Sequence, residues 1–147
     1  MTQLVQLIYV SRSTLAHSKD FKGIEPNVGR ILLKSRINNK SKNITGVLYF
    51  GDGCFFQCLE GDADSVDTLF ESLKNDPRHS DVQLISRNAI SERSFAAWEM
   101  KFVPLEEPMT RLLQSRGYKS FDPYRFDGEM VKCILAFLGS ATVADSA

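Results

Sequence analysis

The stretch CFFQCLEGD, residues 54–62, sets one carboxamide, Gln57, between Phe56 and Cys58. On a strand, Phe55, Gln57 and Leu59 share one face, and Cys54, Phe56, Cys58 and Glu60 share the other. The amide therefore stands in line with large apolar groups. A buried amide left unpaired costs about 1–3 kcal/mol, so it needs a partner. A backbone carbonyl, a water or the polar edge of a bound ligand would each serve. Tyr9 raises a similar question between Ile8 and Val10, unless its phenol simply reaches solvent at the strand end. Asn38 and Asn39 close a helical pattern, as asparagine pairs commonly do. Trp98 is a core residue by type whose indole N–H wants one acceptor. Asp76, Arg78 and His79 in NDPRHSD read as a helix stop and a polar loop. Taken singly, each residue has a structural explanation. Taken as a set, a phenol, two carboxamides after a helix, one carboxamide mid-strand and Trp-x-Met on a last strand shift the balance toward a bound ligand with a polar edge.

The elements that must position these residues follow from periodicity and breakers. Residues 3–10 form an apolar run with little alternation, as in a central strand covered on both faces. A polar loop is expected from Ser11 to Gly23. Pro26 suits a first helical turn, and Ile24, Val28, Ile31, Leu32 and Ser35 recur at helical spacing, which predicts an amphipathic helix over 26–38. Strands are predicted at Ile44–Phe50 and Cys54–Glu60, joined by Gly51-Asp52-Gly53 with its Asp-Gly hairpin signal. Gly61 to Asp64 offers an N-cap, and Ala63, Val66, Leu69, Phe70 and Leu73 mark a second helix closed by Asn75-Asp76-Pro77. Two more strands are expected at Val82–Ile90 and Phe95–Val103. Two short helices are expected near 109–116 and 127–139, with the connector YKSFDPYRF before the second. The order is βαββαββ with a helical tail. This predicts an α+β, ferredoxin-like sheet with two helices on one face.

Composition narrows the function classes. The chain has 147 residues, 18 Lys+Arg and 18 Asp+Glu, with no strongly basic segment. No phosphate-backbone footprint is visible, so direct nucleic-acid binding has little support. The N-terminus lacks a signal-peptide pattern, and no apolar run approaches a membrane span. Cys54, Cys58 and Cys133 are read as reduced, packed thiols of a cytoplasmic protein, and with two distant histidines they make no metal set. Asn43-Ile44-Thr45 fits a glycosylation sequon that a cytoplasmic chain would not use. An enzyme reading, in which Arg36 and Asn39 hydrolyse an acyl phosphate, lacks a Gly-rich phosphate cradle. A flavin reductase lacks a nicotinamide signature.

The stretches LIYVSR, SRINNKSKNITGVLYFGDGCFFQCLEG, NDPRH and SERSFAAWEM together resemble the BLUF family, the flavin-based blue-light sensors. The resemblance covers about residues 3–103, and the joint order of NN-x4-TG, FxQxLEG, DxRH and W-x-M is specific. It implies a flavin-binding domain at 1–103 and a C-terminal helical extension at 104–147, as in short stand-alone members without a fused enzyme. It implies that Tyr9 and Gln57 stand beside the flavin ring and that Asn39 bonds the pyrimidine edge, with Asn38 its polar neighbour and Ser35 one helical turn earlier. Ile31 and Leu73 would sandwich the ring. Asp76 and His79 would lie toward the ribityl end. Trp98 and Met100 would be the pair whose placement follows the signalling state. Ser72 departs from the family pattern where many members have a basic residue near the cofactor tail, so FMN or riboflavin could bind as well as FAD. The 11–25 loop is also longer than usual.

The same resemblance implies a mechanism: light-driven transfer of an electron and proton from Tyr9 to flavin, then rearrangement of the Gln57 amide and a small red shift. Amides suit this role because they both donate and accept and can reverse that pattern without moving the backbone. Implied partners are flavin, a downstream regulatory protein and a second copy of the chain, with no membrane. The alternative is a light-insensitive ferredoxin-like binding module in which the polar residues are structural. The apolar positions Met130, Val131, Ile134, Leu135, Phe137 and Leu138 must pack on the sheet, a second copy or a regulator.

Overall fold

The computed structural model describes residues 3–14, 43–77, 79–95, 101–102 and 106–140; residues 79, 101–102, 106–107 and 140 are described by backbone alone. β1 (Leu4–Ser13) lies inside a five-stranded sheet, between β3 (Cys54–Asp62) and β4 (His79–Ala89). β2 (Thr45–Gly51) pairs with the far side of β3, and β5 (Lys101–Phe102) runs parallel to β2 at the edge. The order is β4-β1-β3-β2-β5, with every pairing antiparallel except the last. This is the expected α+β, ferredoxin-like sheet, and β1 is covered on both faces, as its unbroken apolar run requires.

Local chemistry explains the turns. Asp52 and Gly53 both have positive φ, 49° and 76°, the geometry of a two-residue hairpin turn that matches strand twist. Gly46 lets β2 approach β3, because a Cβ there would stand 1.9 Å from the Cys58 carbonyl oxygen. Helix α1 (Ala63–Lys74) starts where the Asp62 side chain accepts a hydrogen bond from the Ser65 N–H at 3.3 Å. It buries Val66, Leu69 and Phe70 on one stripe. Arg87 of β4 donates to both carboxylate oxygens of Asp67, at 2.8 and 2.9 Å, and ties α1 to the sheet edge.

Two cores lie on opposite faces. α1 packs against Val5, Leu7, Tyr9, Leu48, Phe55 and Leu59. The other face carries Ile8, Val10, Val47, Tyr49, Phe56 and Cys58, and the tail covers it. The tail consists of α2 (Glu106–Ser115), a 3-10 turn (Pro123–Arg125) and α3 (Gly128–Ser140). Met109, Leu113, Met130, Ile134 and Leu138 are buried there. Of the three candidate surfaces for the tail, the sheet is the one observed. The connector supplies a cluster in which Phe121 lies 4.7 Å from the Tyr49 ring and 5.6 Å from Phe126. The Phe121 N–H donates to Asp52 of the hairpin turn at 2.8 Å.

Several bounds differ from expectation. β1 continues through Ser13, and β4 begins at His79 rather than Val82, because Arg12 and Ser13 pair with Ser80 and His79. Polar side chains tolerate this, since β4 is an edge strand with much of its surface in water. The NDPRHSD segment is therefore only partly a loop. Ser94 and Phe95 form a bend held by side-chain bonds, so the last strand does not start at Phe95; its described part is Lys101–Phe102. α2 starts three residues before position 109, with Pro108 in its first turn, where no intrahelical N–H is lost. The predicted helix over 26–38 lies outside the described residues, so only one of the two expected helices is placed on its face. Among the described residues, Cys54, Cys58 and Cys133 form no disulfide, no side-chain group could hold a metal, and no helix is long and apolar enough to cross a membrane.

Candidate functional site

Tyr9 and Gln57 are direct partners across β1 and β3. They are 1% and 4% exposed, and both side chains lie on the face covered by α1. The Tyr9 hydroxyl donates a hydrogen bond to Oε1 of Gln57. The amide's partner is thus a neighbouring side chain, a group that neither residue's local sequence points to. Leu48 stands opposite Gln57 on its other side, so the amide has an aliphatic neighbour in register. Phe70 of α1 packs against Tyr9, its ring 5.5 Å from that of Tyr9 and tilted by 51°.

Leu73, one turn after Leu69, is partly buried against the same core. Asp76 follows the helix end, half-buried, with its N–H donating to the Leu73 carbonyl at 3.1 Å. His79 opens β4 opposite Ser13, its backbone alone being described. The structure brings together Tyr9, Gln57 and Leu73. Ile31, Ser35, Asn38, Asn39, Trp98 and Met100 lie outside the described residues.

Two residues with a bearing on this region were not among the candidates. Phe70 belongs to an apolar stripe readable from helical spacing, but spacing does not say which strand residue it meets. Glu60 is fully buried (0% exposed), three residues after Gln57 and on the opposite face. Its carboxylate accepts from the Gln6 side-chain amide at 2.9 Å and from the N–H groups of Ser94 and Phe95 at 3.1 and 2.7 Å. The alternation through Cys54–Glu60 placed it on the face now seen to be covered by the tail, which was the available signal.

Burial disfavours ionisation elsewhere on that face. It pushes the Cys58 thiol well above its ordinary value, and the nearby Glu60 charge adds to the effect. Burial also raises Cys54, against an opposing pull from the Arg12 guanidinium. Neither thiol is poised as a nucleophile.

The described site fits the edge and face of a planar heterocycle in kind. It offers a carboxamide that both donates and accepts, a phenol hydrogen-bonded to it, and aliphatic and aromatic groups on the facing helix. The sequence matches the family model described as BLUF, sensors of blue-light using FAD, over residues 4–101. The fold is similar to that of BlsA in its photo-activated state, with a TM-score of 0.84 and 30% identity, covering 97% of this chain and 99% of that one. It is also similar to BlrB, a BLUF protein in its dark state, with a TM-score of 0.77, 28% identity and coverage of 95% and 98%. The photoactivated adenylate cyclase subunit beta of Euglena longa is 29% identical over 131 residues, 82% of this chain and 14% of that protein. The chain thus spans about a seventh of the length of that curated relative.

Proposed function

The chain belongs to the BLUF family, flavin-binding sensors of blue light, and from that premise we propose that the Tyr9–Gln57 pair is its photoactive switch. Membership in a sensor family decides against the light-insensitive binding module. The observation that carries the proposal is the buried hydrogen bond from the Tyr9 hydroxyl to Gln57 Oε1. Bound flavin supplies the absorption of blue light and an excited state able to take up an electron and a proton. Tyr9 would be the residue that donates both. Its phenolic proton already points at an amide oxygen, so proton loss and amide reorientation are linked at one atom. With the electron and proton back on Tyr9, no net oxidation would remain, and the Gln57 amide would be held in a second hydrogen-bonding arrangement. Burial of the amide beside Leu48, with Phe70 packed on its partner Tyr9, restricts it to discrete arrangements, which suits a bistable element.

In the same reading Ile31 and Leu73 flank the flavin ring, Asn38, Asn39 and Ser35 serve its polar edge, and Asp76 and His79 serve its ribityl end. Trp98 and Met100 respond to the amide. FAD is the proposed flavin, with FMN and riboflavin accommodated because the exposed Ser72 supplies no charge for a phosphate tail. Residues 1–103 act as the sensor and 104–147 as the output extension. It faces a downstream regulatory protein or a second copy in the cytoplasm, without direct contact to nucleic acid or membrane. The chain itself turns over no substrate. The test is spectroscopic: the purified protein is yellow, and blue light moves its flavin band reversibly to the red by a few nanometres. A colourless protein, or a band indifferent to light, rejects the proposal.

A further inference from the structure

Gln57 and Glu60 both join β3 to β1, but on opposite faces. On the α1 side the bond is Tyr9 to Gln57; on the tail side it is Gln6 to Glu60, and both residue pairs are direct cross-strand partners. Glu60 differs in that it also reaches out of the sheet. Its two carboxylate oxygens accept from Ser94 N–H at 3.1 Å and Phe95 N–H at 2.7 Å. All three groups facing it are N–H donors. A carboxylate, which only accepts, satisfies all three at once; an amide would turn its own N–H toward at least one of them. The same bend is held from the other side by Arg93, whose guanidinium donates to Thr45 Oγ1 at 2.9 Å, to the Glu60 carbonyl at 3.0 Å and to the Asn43 carbonyl at 2.7 Å. The bend is thus pinned to β3 and has few other ways to move.

Phe95 continues the connection. Its ring is buried in the tail-side core, and its edge lies 3.5 Å from where a Cβ on Gly139 of α3 would stand. A contiguous series therefore runs from the Gln57 position along β3 to Glu60, through the Phe95 backbone, and by the Phe95 ring to α3. We propose that Glu60 is the positioning residue that couples rearrangement of Gln57 to α3, by holding the Ser94–Phe95 bend in register with β3. This rests on the photoactive role proposed for Gln57. A change in the Tyr9–Gln57 bond alters how β1 and β3 sit against each other. Glu60, bonded to both strands and to the bend, passes that adjustment to the tail.

The test is amide hydrogen exchange on the flavin-loaded full chain, dark and under blue light, with absorption recorded in parallel. In the native chain, illumination changes exchange at Ser94, Phe95 and the α3 amides, by about 2- to 30-fold for coupling of ordinary size. In Glu60→Gln the flavin band still shifts, while the α3 response falls away; a purely structural role for Glu60 would leave the light-dependent difference in place. A full α3 response in Glu60→Gln overturns the inference. Should that variant not hold flavin, the native chain decides: exchange at Ser94 and Phe95 that is the same in light and dark overturns it equally. A native flavin band that does not move under blue light overturns the Gln57 reading and this one with it.

Discussion

The guanidinium of Arg12 lies over the ring of Tyr124, 4.6 Å from its centroid, and so joins the end of β1 to the connector of the tail. The same arginine meets Asp81 at 3.3 Å, and the Tyr124 hydroxyl donates to the Asp81 carbonyl at 2.6 Å. The ion pair is well exposed and contributes little. The ring contact is worth about 0.5–1 kcal/mol and the hydrogen bond about 0.5–1.5 kcal/mol. Tyr124→Phe should therefore destabilise the chain by about 1 kcal/mol in urea titration, and Arg12→Ala by a similar amount with earlier proteolysis of the connector. Two variants indistinguishable from the native chain would show that this clasp does not hold the tail.

Stability should fall on the alkaline side. Burial pushes the Tyr124 phenol from 10.0 up to about 12, with Arg12 opposing it, and pushes Cys58 well above 9.0. In each case the folded chain holds its proton more tightly than the unfolded chain. The stability these two groups contribute is then fully present below about pH 9 and is lost as pH rises through the folded values. Denaturant midpoints measured across that range should fall, and Cys58→Ala should flatten the early part of the decline. The two buried thiols should also resist alkylation at neutral pH until the chain is unfolded. Rapid native-state labelling of Cys58 would contradict the burial on which both statements depend.

Where geometry was set locally, it was legible in the sequence. The Asp52-Gly53 turn needs two residues with positive φ, and the Asp62 cap needs a short acceptor before an apolar stripe; both are local rules. The alternation in β3 also separated Gln57 from Cys58 and Glu60 correctly. What escaped was decided by partners far along the chain. Gln57 meets Tyr9 through a register that no hairpin turn fixes. Glu60 looks like a strand end, yet its buried carboxylate is satisfied by N–H groups 34 and 35 residues away. The start of β4 was hidden because an edge strand can be polar and still pair through its backbone. The apolar stripe of α3 announced a partner without saying that it was the sheet's other face. Of the candidate site, Tyr9, Gln57 and Leu73 are seen on one face, while its asparagines, Trp98 and Met100 lie outside the described residues.

Gly46 is a position where one methyl group should be decisive. Its place opposite Leu59 puts an added Cβ 1.9 Å from the Cys58 carbonyl oxygen, a backbone atom that cannot turn aside. Gly46→Ala must push β2 away from β3, at a cost of at least about 2 kcal/mol. Because Leu48 borders Gln57 on this same strand, the variant should also loosen the packing around the amide. A melting temperature within a degree or two of the native value would mean that the strands are not this close.

The hydrogen bond between Tyr9 and Gln57 makes its own prediction, apart from whether light moves the flavin band in the native chain. Tyr9→Phe removes one hydroxyl, keeps the ring packed on Phe70 and takes a donor from the buried amide oxygen, so the fold should lose about 1–3 kcal/mol. Flavin should stay bound, since the phenyl ring and the amide remain. The light-driven red shift should nevertheless vanish, because no phenolic proton is left to couple electron loss to the amide. Gln57→Leu should also lose the shift while retaining Tyr9 as an electron donor, so quenching of flavin fluorescence should persist in Gln57→Leu and weaken in Tyr9→Phe. That contrast separates the two roles. Quenching lost equally in both variants, or a full red shift surviving in either, would mean that donor and switch are not divided between these two side chains.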